Sequence, residues 1–97
     1  MASDFKVFIY RNSDNIHLKL AGEFDDSSAH QLFNILNGVF GEVGKIFIHT
    51  VGLSFIHSFG KDAFKNKCCA IKELIPSMIF TGKLGSELAL PGSKYIP

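Results

Sequence analysis

The 97-residue sequence predicts an α/β fold: a small mixed β-sheet of four to five strands with helices packed on one face. The order of its elements points there: strand, strand, helix, strand, helix, strand, short helix. So do the alternation of apolar and polar residues over Ile16-His17-Leu18-Lys19-Leu20 and two apolar stripes at helical spacing, Ala29 to Phe40 and Phe59 to Ile75. The first hairpin is expected to be antiparallel and the later strands parallel, with right-handed crossovers through the helices. Residues 1–97 are expected to form one domain, since a chain of this length holds a single two-layer core.

Phe5-Lys6-Val7-Phe8-Ile9-Tyr10 carries the aromatic and branched side chains that favour a strand, and the turn formers Arg11 to Asn15 follow it. In the second strand Ile16, Leu18 and Leu20 face the core, which leaves His17 and Lys19 on the other face. Gly22 to Ser28 end that strand and open a helix. Ser28 with Gln31 has capping-box spacing, while Asp25 and Asp26 are alternative caps. The first helix buries Ala29, Leu32, Phe33, Leu36, Val39 and Phe40, and Gly38, Gly41 and Gly44 turn the chain back. Lys45 to Val51 reads as a strand covered on both faces. A loop through Ser54-Phe55-Ile56-His57-Ser58-Phe59-Gly60 then opens the second helix, whose stripe is Phe59, Ala63, Phe64, Cys68, Ile71 and Ile75. Met78 to Thr81 is a fourth strand, Lys83 to Leu90 holds a short helix, and Lys94 to Pro97 is an edge strand or a tail.

Lys and Arg number 10 against 9 Asp and Glu, a balance without the field that draws in nucleic acid or an anionic membrane. Ten Phe in a chain that is 46% hydrophobic suit a Phe-rich private core, the alternative being that some of this apolar surface is shared with another chain. Cys68 and Cys69 are sequence neighbours that diverge on a helix, unsuited to a disulfide or a zinc site and in keeping with a reducing compartment. The start Met-Ala-Ser-Asp-Phe-Lys shows no basic segment before an apolar run, and the expected location is cytoplasmic.

Two segments carry a family resemblance. Ile16-His17-Leu18-Lys19-Leu20-Ala21-Gly22-Glu23-Phe24-Asp25, followed by Ser28-Ala29 and Leu32, resembles the opening of STAS domains, the anti-sigma factor antagonist fold. Gly52-Leu53-Ser54-Phe55-Ile56-His57-Ser58-Phe59-Gly60 is similar to that family's hydrophobic-hydrophobic-Asp-Ser-Ser-Gly loop. The resemblance implies a non-enzymatic bacterial regulator of transcription that binds an anti-sigma factor, with Ser58 on the serine that a partner kinase of the ATPase-fold type phosphorylates. It places Asp25, His57, Ser58, Phe59 and Gly60 at the partner surface, and a phosphate there adds about −1.5 to −2 charges. The alternative is an unphosphorylated STAS-like structural subunit, or a homodimer, with a constitutive contact. His57 stands where the family has Asp, and Phe59 where a second small residue is usual.

The residues also permit blander roles. Ser58 suits a helix N-cap, where its hydroxyl would accept from a free amide. His17 and His49 would need adjacency and a shared face to hold a metal, and the expectation is no metal and no cofactor. Asp25, His57 and Ser58 are the residue types of a hydrolytic triad. However, neighbours such as His57 and Ser58 diverge, and no nucleophile-elbow pattern surrounds the serine, so no catalytic residue is assigned.

Overall fold

The architecture comes from a computed structural model that describes residues 5–39, 41–42 and 44–97. Strand β1, Lys6–Arg11, pairs antiparallel with β2, Asn15–Phe24, so that Ile9 faces Leu18 and Tyr10 faces His17. Helix α1, Asp26–Val39, returns the chain to β3, Lys45–Ile56, which lies parallel to β2. Helix α2, Ser58–Cys68, and a 3-10 segment, Cys69–Ser77, lead to β4, Met78–Thr81. The short helix α3, Gly85–Leu88, precedes β5, Lys94–Ile96. The sheet has five strands in the order β1-β2-β3-β4-β5, antiparallel at the first pair and parallel elsewhere, with the three helices packed against it.

The alternation in β2 works as its sequence implies. Ile16, Leu18 and Leu20 are buried against Leu32, Leu36, Ile46, Ile48 and Phe80, while Lys19 is exposed on the other face. Each fully buried apolar side chain contributes roughly 1.5–3 kcal/mol, so this layer between sheet and helices supplies most of the driving force for folding. In α1 the buried positions include Ala29, Leu32, Leu36 and Val39, and Phe33 is partly buried. Phe40, assigned to the same stripe by its spacing, lies outside the described residues.

Two elements depart from the sequence expectation. Strand β3 runs on to Ile56, through the stretch that reads as a loop. The buried positions Ile46, Ile48 and Thr50 give way to Leu53 and Ile56. Each step of three marks a bulge where the register with β2 shifts, first between the pairs Lys19↔His49 and Ala21↔Gly52, then between Gly22↔Leu53 and Glu23↔Phe55. A Cβ on Gly52 would lie 2.6 Å from the Leu20 carbonyl oxygen, so only glycine lets the bulged strand come this close. The second departure is at α2, which ends at Cys68. Ile71, predicted as part of its stripe, has φ −128° and ψ 53°, and Pro76 sits in the 3-10 segment that follows. Ile71 remains buried, so its spacing reported burial correctly and helix continuity wrongly.

Cys68 and Cys69 diverge, one buried and the other exposed. Burial, and to a lesser extent the neighbouring Cys69, pushes the Cys68 thiol up to about 12. Because the thiolate is the reactive form, one cysteine of the native protein is expected to react with iodoacetamide at pH 8. Peptide mapping should find the label on Cys69, with Cys68 labelled only after denaturation. No helix among the described residues is long and apolar enough to cross a membrane.

Candidate functional site

Parallel neighbours β2 and β3 end side by side, with Phe24 paired to Ile56, and each strand hands over to a helix within two residues. Asp25 follows β2 and precedes α1; His57 follows β3 and precedes α2. The His57 amide donates to the Phe24 carbonyl at 2.9 Å, tying the two exits together. Both helix N-termini therefore leave from the carboxyl ends of adjacent parallel strands, the end of an α/β sheet where function tends to gather. Gly60, in the first turn of α2, is buried against this junction. A Cβ there would fall 2.7–2.8 Å from the backbone of Asp25, so the absent side chain sets how closely the two helix starts approach.

Asp25 is the cap of α1. Its Oδ1 accepts from the Ser28 amide at 2.9 Å, the Ser27 hydroxyl at 2.8 Å and the Ser28 hydroxyl at 3.0 Å. The capping box at Ser28 does not form: Ser28 lies inside the helix, and its buried hydroxyl is also within 3.0 Å of the Glu23 carbonyl. These bonds, the one from the Ser28 amide foremost, hold the Asp25 carboxyl below the usual carboxylate range. A lowered folded value means that the charged form favours the native state. That contribution is complete above the unfolded value of about 3.9 and is lost as the pH falls through the folded value. Asp25→Ala is expected to cost about 1 kcal/mol at pH 7. In urea unfolding the gap between wild type and variant should close as the pH falls below the ordinary carboxylate range and through the lowered folded value.

Ser58 is not the cap of α2. The cap position is His57, whose extended backbone (φ −74°, ψ 142°) leads into the helix and whose side chain makes no capping hydrogen bond. Ser58 is the first helical residue, its side chain exposed. Its neighbours form a small aromatic cluster. The His57 ring meets Phe55 edge-on at 4.8 Å between centroids and lies tilted on Phe59 at 5.4 Å, and both phenylalanines are 55% exposed. His57 Nε2 sits 3.0 Å from Glu23 Oε1 on the adjacent strand. Of the Asp25, His57 and Ser58 set, His57 Nε2 is engaged by Glu23 and Asp25 Oδ1 by the start of α1.

Sequence reasoning singled out Asp25, His57, Ser58, Phe59 and Gly60, and the fold brings all five to one corner. Glu23 was missed. Its signal lies in the pairing of β2 with β3, which aligns it with Phe55, two residues before His57. Phe64, by contrast, is fully buried, as its helical spacing implies.

His17 and His49 do meet, on the sheet face away from the helices. His17 Nδ1 lies 2.9 Å from His49 Nε2, and His49 Nδ1 lies 2.6 Å from Thr81 Oγ1, while Phe47 stacks on His17. Burial, with help from His17 and Lys19, holds the His49 imidazole below its ordinary range. Among the described residues no group of three or more His, Cys, Asp or Glu side chains is placed to hold a metal.

Sequence comparison matches no protein-family model and no curated protein. Comparison of structures defines a class: the chain has a STAS-type fold, as the two motifs imply. It superimposes on the anti-sigma factor antagonist SpoIIAA in its unphosphorylated form with a TM-score of 0.66 and 16% identity, covering 96% of this chain and 87% of that one. An RsbS from Moorella thermoacetica carrying a serine-to-glutamate substitution gives 0.65 and 18%, over 94% and 86% of the two chains. An uncharacterized DUF3478-family protein with a SpoIIAA-like fold, from Shewanella loihica PV-4, gives 0.64 and 13%, over 99% and 88%.

Proposed function

We propose that this chain is a non-enzymatic regulatory domain of the anti-sigma factor antagonist type, which docks a protein partner through the loop around Ser58 and is released when that serine is phosphorylated. The observation that carries the reading is the exposed Ser58 side chain on the first turn of α2, flanked by the half-exposed rings of Phe55 and Phe59. Exposed aromatic side chains in such a cluster are the usual anchors of a protein interface. The fold neighbour named as an anti-sigma factor antagonist supports the class.

The chemistry of release follows from the surroundings. A phosphate on Ser58 would sit at the positive end of α2, which stabilises the modified form of the domain itself. On a docking surface built from phenylalanine the same charge must be desolvated, and Glu23 and Asp25 flank the junction from the neighbouring strand and helix start. A partner that fits the unmodified surface therefore loses most where the phosphate is added. In this reading the kinase and the anti-sigma factor are the two partners, and the chain is cytoplasmic and bacterial.

Wild type, Ser58→Ala and Ser58→Asp used as baits in extract of the source cells test the proposal. The expected result is a partner retained by the first two and lost by Ser58→Asp. A partner retained equally by all three would replace the switch with the constitutive-subunit reading.

A further inference from the structure

The sheet face away from the helices carries a groove of about 340 Å³ that shares no residue with the Ser58 corner. It exists because two small residues are register partners on neighbouring strands: Ala21 of β2 lies beside Gly52 of β3 at the first bulge. Around this low ground stand Phe8 and Tyr10 of β1, Lys19 of β2 and Val51 of β3, which the bulge pushes out to 79% exposure. Its size falls within the range of about 300–1,000 Å³ that small-molecule sites occupy.

The charge of the groove is one-sided. Lys19 extends its Nζ over the Tyr10 ring at 6.0 Å, and Lys6 is the cross-strand partner of Ala21 on the same face. Among the described residues no acidic side chain lines the groove. A second copy of this chain is a poor occupant, because pairing this face with itself would desolvate the ammonium groups of Lys6, Lys19 and Lys94. We propose that the groove binds a flat aromatic acid, its ring over Ala21 and Gly52 between the β1 aromatics and Val51, its anionic group at Lys19 and Lys6. Ring faces and apolar walls supply the burial, and the lysines select the anion over the neutral ring.

The test is a titration of the 15N-labelled 97-residue chain with 2-naphthoate, followed by amide chemical shifts, against the neutral 2-naphthalenemethanol. The expected result is saturable shifts at Phe8, Tyr10, Lys19 to Ala21 and Val51 to Gly52, with a Kd of about 0.1–1 mM. Binding of the neutral alcohol should be about tenfold weaker, the loss of one charge-assisted contact. Ala21→Leu fills the groove and should abolish binding. Lys19→Glu, at an exposed position, should weaken it about tenfold, and it decides the matter if Ala21→Leu does not fold. Shifts centred on Phe55 and Phe59, equal binding of the alcohol, no saturation by about 5 mM, or undiminished binding by Lys19→Glu would each overturn the proposal.

Discussion

Phe64→Ala is expected to remove about 3–5 kcal/mol of stability, the cost of emptying a fully buried aromatic site. Phe64 links α2 to the sheet: its ring packs edge-on against Phe24 at 5.9 Å and against Phe80 at 6.3 Å, and Phe24 in turn meets Phe5 at 5.7 Å. Aromatic pairs of this kind contribute about 0.5–1.5 kcal/mol beyond their burial, so one truncation breaks two of them as well as opening a cavity. Against a total stability of about 5–15 kcal/mol, the loss leaves the domain marginal. Urea unfolding should show the midpoint falling by about 2 M with an unchanged slope. Phe64→Leu, which keeps most of the volume, should lose substantially less. A loss below about 1 kcal/mol for the alanine variant would mean that α2 is not anchored through this ring. Because Phe24 also supplies the carbonyl that holds His57, the same core sets the position of the Ser58 corner.

Phe59→Ala should have the opposite profile. The ring is 55% exposed and lies tilted on His57. Removing it is therefore expected to change stability by no more than about 0.5 kcal/mol. If the Ser58 corner is the docking surface, the same change should weaken binding of the retained partner by about 10- to 100-fold, as for an interface anchor. Isothermal titration with the purified partner, beside urea unfolding of the variant, separates the two effects. Unchanged affinity with unchanged stability would make Phe59 a bystander, and the partner surface would have to lie elsewhere.

Much of the fold was legible because it rests on periodicity. Ile16, Leu18 and Leu20 alternate, Ala29, Leu32 and Leu36 recur at helical spacing, and both patterns report a single buried face. The reading failed where the backbone broke period. Beyond Thr50 the bulges of β3 shift the buried phase to Leu53 and then Ile56, and a strand with two slips reads as a loop. The cap of α2 was misplaced for a related reason. Capping depends on backbone angles as well as on residue type, and the extended residue before the helix is His57, although Ser58 has the better side chain for the role. At α1 the opposite held: the oxygen-bearing candidates Asp25, Asp26 and Ser28 stood close together, and the helix begins so that Asp25 takes the cap.

The site was legible in its residue types and illegible in its contacts. Asp25 and Gly60 are far apart in sequence, and nothing local indicates that the glycine is there to admit the aspartate backbone. The pairing of His57 with Glu23, and of His17 with His49, depends on the parallel register of β2 and β3, which no single stretch of sequence encodes. The groove over Ala21 and Gly52 likewise appears only when two strands are laid side by side.

Hydrogen-deuterium exchange of the chain alone and bound to the partner it retains tests the central claim most directly, since it reports which surface is covered. The account predicts new protection confined to residues 54–62 and the start of α1, lost when Ser58→Asp replaces the wild type. Protection confined to β1 and the open face of the sheet, with the Ser58 corner exchanging as in the free chain, would contradict it.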